Sequence, residues 1–173
     1  MNRRVLVLLA AAAVLGATLA TPAGAAPLRL RLDGVGPLKL GMSRASALAT
    51  GWLANRQPGC ELAGPPRPRT YDLTGRAAPR RVRGSAEFRS GRLISLSFTR
   101  GVRTAVGVTV GTTSAAGMVG RYRAAGFGAT ARFDPVFGGR FVSVRRAGRQ
   151  VLGGFARGGA VRTLGVPFVP VCE

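Results

Sequence analysis

Two stretches seventy residues apart carry the same pattern, and that duplication limits the folds open to the chain. The first is Leu38-Lys39-Leu40-Gly41-Met42-Ser43; the second is Val108-Thr109-Val110-Gly111-Thr112-Thr113. The same offset continues through Ala45/Ala115, Leu48/Met118 and Trp52/Tyr122. Each copy predicts a short alternating strand, a glycine turn, a hydroxyl cap (Ser43 or Thr113) and an amphipathic helix. The predicted core-facing stripes are Ala45, Leu48, Ala49 and Trp52 in the first helix, and Ala115, Met118, Val119 and Tyr122 in the second. Pro58-Gly59 and Gly126 close the two helices.

Around the repeat the chain reads as strands. Leu28-Arg29-Leu30-Arg31-Leu32 alternates strictly, with leucines on one face and arginines on the other. Tyr71 to Leu73 predicts a short strand between two loops, the proline-rich 63–69 and 74–80. Residues 81–88 and 92–98 predict a hairpin about Ser90-Gly91, with Ile94, Leu96 and Phe98 on one face and Ser95 and Ser97 on the other. Residues 141–146, 150–156 and 161–166 predict three more strands, and Gly153, Gly154 and Gly165 within them imply bulges or close backbone packing. The expected fold class is therefore α+β: two tandem strand-helix-antiparallel-strand repeats, about 28–100 and 104–172, with helices packed on antiparallel sheet. Either one continuous sheet or two smaller ones would satisfy the pattern.

Before the repeats lies an export signal. Arg3 and Arg4 precede the apolar run from Val5 to Leu19, and Ala23-Gly24-Ala25 offers small residues for cleavage before Ala26. The apolar run is shorter than the ~20 residues a spanning helix needs. Residues 1–25 thus read as a signal peptide and 26–173 as one mature domain without a transmembrane anchor. The expected location is secreted or cell-wall associated. In an oxidising compartment the two cysteines, Cys60 and Cys172, read as a disulfide. It would close a loop of about 110 residues, worth ~4–5 kcal/mol by chain entropy.

The residue inventory excludes most chemistry. The chain has no histidine, which removes histidine-based triads and metal motifs. Lys39 is the sole lysine, and the turn after it separates it from Ser43. The six acidic residues show no spacing that marks a catalytic pair, and each reads as the neighbour of an arginine. The glycines include no phosphate-binding loop. No catalytic residue, metal ligand or cofactor is expected, and the chain reads as a non-enzymatic binding protein.

Its charge names the kinds of partner. Lys and Arg number 26 against 6 Asp and Glu, a net +20; loss of Arg3 and Arg4 with the leader makes this +18. The candidate contacts for an anionic partner are Arg67, Arg69, Arg80, Arg81, Arg83, Arg145 and Arg146. Nucleic acid is not expected, because no helix carries a dense arginine face and no aromatic recognition motif is present. The first functional reading is a protein-interaction module; the second is a binder of anionic envelope polymers or lipid headgroups.

Residues 34–43 and 107–113, Tyr122 and the terminal Val171-Cys172 resemble a group of small exported proteins of high-GC Gram-positive bacteria. The glycine-led start of each helix also resembles the repeats of beta-lactamase inhibitory protein and of the BamE-like lipoprotein of outer-membrane assembly. That resemblance implies two helices against a small antiparallel sheet. For the inhibitory protein it also implies a concave sheet surface that grips an enzyme.

Overall fold

The computed structural model of the chain describes residues 26–59 and 64–170. The expected leader with Ala23 and Ala25, and both cysteines of the expected Cys60–Cys172 pair, lie outside these residues. Ala26 is the first described residue and is exposed.

The chain is mostly β, which corrects the expected α+β class with helices packed on a sheet. Strands take 49% of the described residues and helix 11%, in two helices. Among the described residues twelve strands form two sheets. The smaller sheet joins β1 (Leu28–Arg31), β2 (Gly34–Val35), β3 (Leu38–Lys39) and β8 (Val102–Thr104), in the order β3-β2-β1-β8. The β1–β8 contact is parallel, with Leu28 opposite Val102. It ties the start of the described chain to the link between the two repeats.

The larger sheet has eight strands. One half holds β4 (Ala54–Pro58), β5 (Arg69–Asp72), β6 (Arg83–Arg89) and β7 (Arg92–Arg100). The other holds β9 (Gly128–Asp134), β10 (Gly139–Arg146), β11 (Arg149–Arg157) and β12 (Ala160–Val166). Their order is β4-β5-β6-β7-β12-β11-β10-β9, so two four-stranded meanders meet through their last strands in one continuous sheet. At the seam Leu164 faces Phe98, Gly165 faces Ser97 and Val166 faces Leu96. These strands correspond at an offset of 68: Leu93 accepts from the Gly41 N–H as Val161 accepts from the Gly111 N–H, each at 2.8 Å. The seam is therefore reciprocal, since Phe98 meets Leu164 where Leu96 meets Val166.

The helices depart from the expected register. Offset 70 holds in burial as far as Gly41 and Gly111, both at positive φ, but the strand expected at Val108-Thr109-Val110 does not form: Thr109 makes only an isolated bridge to Arg103. One extra residue then enters the second copy. Ser114, not Thr113, caps the second helix, its Oγ accepting from the Gly117 N–H at 3.0 Å. Thr113 instead uses its Oγ1 to accept from the Thr109 N–H. Ser43 does cap α1 (Arg44–Ala49), but that helix has only six residues and buries Ala47 alone. The expected stripe fails there: Ala45, Leu48 and Ala49 are exposed, and Trp52 is buried beyond the helix end. In α2 (Ala115–Ala124) the stripe is as expected, with Ala115, Met118 and Tyr122 buried and Val119 half-buried. With the insertion counted, Ala47 and Met118 are equivalent, and both are fully buried.

Side chains from both halves form one core cluster, including Leu30, Val35, Leu38, Phe88, Leu96, Phe98, Met118, Leu152 and Leu164. The hairpin about Ser90-Gly91 forms as expected, with both residues at positive φ. A bulge between Glu87 and Phe88 pairs Phe88 with Leu93 and Glu87 with Ser95. Leu93 thereby takes the core position expected for Ile94, which is only half-buried.

The strand glycines answer to close packing. The chain turns back after Val166 and lays residues 168–169 over the cross-strand pair Gly153 and Gly165. A Cβ on Gly165 would collide with the Phe168 carbonyl, and one on Gly153 would lie 2.9 Å from the Val169 nitrogen. On the other face Gly154 leaves room for the Met118 sulfur.

Candidate functional site

The basic residues have few acidic partners. The described residues contain 24 basic side chains and four acids, Asp33, Asp72, Glu87 and Asp134. Neutral groups engage three of those acids, against the expectation that each would neighbour an arginine. Asp72 accepts from the Asn55 and Gln57 side-chain amides, and buried Glu87 accepts from Ser95 Oγ at 3.0 Å. Asp134 Oδ1 accepts from the Val136 and Phe137 N–H groups. Between described residues one ion pair is present, Arg31–Asp33 at 3.2 Å. Most of the positive charge is therefore balanced by solvent ions or by whatever the surface binds.

The seven arginines singled out from the sequence fall in three places. Arg67 and Arg69 come together and share a hollow of about 270 Å³ with Arg44, which sequence reasoning missed. Arg80 and Arg83 line a second hollow, of about 400 Å³, with Arg76, also missed. Arg81 is half-buried, and its Nε has no hydrogen-bond partner. Arg145 and Arg146 end β10, four strands away from β6, where Arg146 stands 6.0 Å from the Phe127 ring centroid.

A larger concavity lies elsewhere. A cleft of about 600 Å³ opens between the start of α2, the β9–β10 hairpin and the Arg157-Gly158-Gly159 turn. Small residues create it: Ala115, Ala116, Ala131 and Ala156 leave the space that longer side chains would fill. The rim carries Phe133, Arg140 and Arg157. Phe133 is 54% exposed and Val136 72% exposed, the latter at the hairpin tip beside the cleft. Both are apolar groups held in water by a fixed turn, because the Asp134 carboxylate pins the turn's N–H groups. The Arg140 guanidinium lies 6.0 Å from the Phe133 ring centroid, a cation–π distance. Among the described residues β9 forms one edge of the large sheet, and its Ala131 and Phe133 line the cleft. The sequence did hold a signal for this site: Phe133-Asp134-Pro135-Val136-Phe137 places apolar side chains within turn residues.

Among the described residues no carboxylate, thiol or imidazole lines the cleft. Asp134, the carboxylate nearest it in the chain, is occupied by its own turn. Tyr122 has its pKa raised above the ordinary tyrosine value by burial, an effect opposed by a hydrogen bond with Thr104. Among the described residues no three potential metal ligands cluster, and no helix is long and apolar enough to cross a membrane.

Comparison of the chain with protein-family profiles, curated proteins and solved structures finds no match.

Proposed function

We propose that the chain is an exported, non-enzymatic binding protein, a protein-interaction module that docks an acidic partner segment at the cleft between α2 and the β9–β10 hairpin. The observation that carries this reading is the outward Phe133 and Val136 beside a small-residue hollow whose rim carries Arg140 and Arg157, neither paired with an acid among the described residues. An apolar patch rimmed by charge is the usual composition of a contact surface. The outer edge of β9 adds main-chain groups that an extended segment can meet. The charge selects the occupant: a second copy would bring like charge against like, whereas an acidic segment is attracted. The repeat's resemblance to beta-lactamase inhibitory protein, which grips an enzyme, points the same way.

The test uses two variants that spare the core. Ala131→Leu fills the cleft from an exposed position, and Phe133→Asp places negative charge on its rim. A partner retained by the wild-type mature chain should be lost by both variants while circular dichroism is unchanged. Equal retention by all three chains would reject the cleft as the docking site.

The second reading, a binder of anionic envelope polymers, is favoured by the engagement of Asp72, Glu87 and Asp134 with neutral donors. Exposed arginines act at long range only at low salt, since the screening length is ~10 Å at 0.1 M and ~3 Å at 1 M. Retention on isolated cell walls is expected to fall steeply over that range. Retention unchanged in molar salt would exclude an electrostatic origin.

A further inference from the structure

We infer that the hollow beneath the loop joining β5 to β6 is a binding site for a phosphate-type oxyanion. Residues 73–82 form this loop, and Arg76, Arg80 and Arg83 project around a space of about 400 Å³. The space takes a phosphate group together with part of whatever carries it.

The loop is held in shape by its own hydrogen bonds. The Gly75 N–H donates to the Trp52 carbonyl at 2.9 Å and the Ala77 N–H to the Gly51 carbonyl at 3.0 Å. The Ala78 N–H donates to Gly75 and the Val82 N–H to Pro79, at 2.8 and 2.9 Å. Arg83 is fixed within this frame. Its Nη1 donates to the Arg80 carbonyl at 2.7 Å and to the Val82 carbonyl at 2.8 Å. That uses one nitrogen of the guanidinium and leaves the edge formed by Nε and Nη2 without a partner among the described residues. Such an edge offers two parallel N–H groups, the fork that grips phosphate in bidentate fashion.

Three guanidinium groups lining one hollow repel one another, and no carboxylate lines it. Asp72, just before the loop, already accepts from Asn55 and Gln57. A phosphate monoester carries about −1.5 to −2 charge at pH 7, which matches more than one arginine. The Thr74 side of the hollow adds a hydroxyl. The loop is held by hydrogen bonds within the protein, so little ordering cost attends binding. This site is independent of the cleft beside β9, and filling the cleft with Ala131→Leu should leave it unchanged.

The test is a titration of inorganic phosphate into the 15N-labelled mature chain at low salt. Amide shifts should concentrate on residues 74–83. The double variant Arg76→Ala/Arg80→Ala removes two exposed side chains and should weaken phosphate binding about tenfold or more. A second double variant, Arg29→Ala/Arg149→Ala, removes the same charge elsewhere and should change it less than about twofold. Polyphosphate and phosphatidylglycerol vesicles then separate the sources: loss of binding in the first variant with one probe identifies which carrier the site accepts. Equal weakening in both double variants, or shifts spread evenly over the arginines, would overturn the site and leave only diffuse charge.

Discussion

Phe98→Ala is expected to lower the stability of the chain by about 3–5 kcal/mol. Phe98 is fully buried and is the largest such side chain in the core. Its truncation removes a ring from the point where β7 meets β12, opposite Leu164. The neighbours there are strands locked in a ladder, so they can collapse onto the void only in part. A domain of this kind has about 5–15 kcal/mol in total, so the loss is a large fraction of it. Because the seam is what joins the two meanders, unfolding should stay a single transition with a lower urea midpoint and an unchanged slope. A loss below about 1 kcal/mol, or the appearance of two separate transitions, would show that the seam does not couple the halves.

Gly165→Ala is expected to cost about 1–3 kcal/mol although it adds only one methyl group. The new Cβ would occupy space held by the Phe168 carbonyl, and the nearest atoms are backbone that cannot rotate away. The segment over Gly165 and Gly153 must lift, so amide exchange at Phe168 and Val169 should accelerate more than exchange in β11 or β12. Gly120→Ala supplies the opposite sign. Gly120 lies within α2, and nothing stands within 4 Å of its added Cβ. Alanine there should stabilise the chain by about 0.5–1 kcal/mol through helix propensity. If Gly165→Ala proves as harmless as Gly120→Ala, the segment does not rest on the sheet.

The parts of the fold legible in the sequence are those where burial imposes a period. α2 buries one face over ten residues, so Ala115, Met118 and Tyr122 repeat at helical spacing. The seam strands and the Ser90-Gly91 hairpin carry alternation or turn chemistry strong enough to read. α1 misleads because its six residues bury only Ala47, and the apolar residues around it, Ala45, Leu48 and Ala49, face water. The extra residue before Ser114 shifts the helix equivalence by one, which no pairing at a single offset can show. Both outer strands of the large sheet were missed for one reason. β4 reads Ala-Asn-Arg-Gln-Pro and exposes four of its five residues, with Asn55 at φ +48° in a bulge; β9 is nearly as exposed. Edge strands gain their order from one neighbour's ladder, and the sequence need not alternate to supply it.

The candidate sites follow the same division. Arg67 and Arg69, and Arg80 and Arg83, are near in sequence and stay near in space. Arg44 joins the first pair because its N–H donates to the Gly91 carbonyl, a contact set by tertiary structure. The cleft depends on what is missing from Ala115, Ala131 and Ala156, and absent volume leaves no period to detect.

The reciprocal meeting of β7 and β12 has one more implication. Corresponding strands running antiparallel, with each residue's partner exchanged across the centre, form the contact that two identical subunits make about a dyad. A protein of half this length, ending after β7, would hold on that one strand the surface needed to pair with its twin. The present chain has that dimer contact enclosed within a single polypeptide.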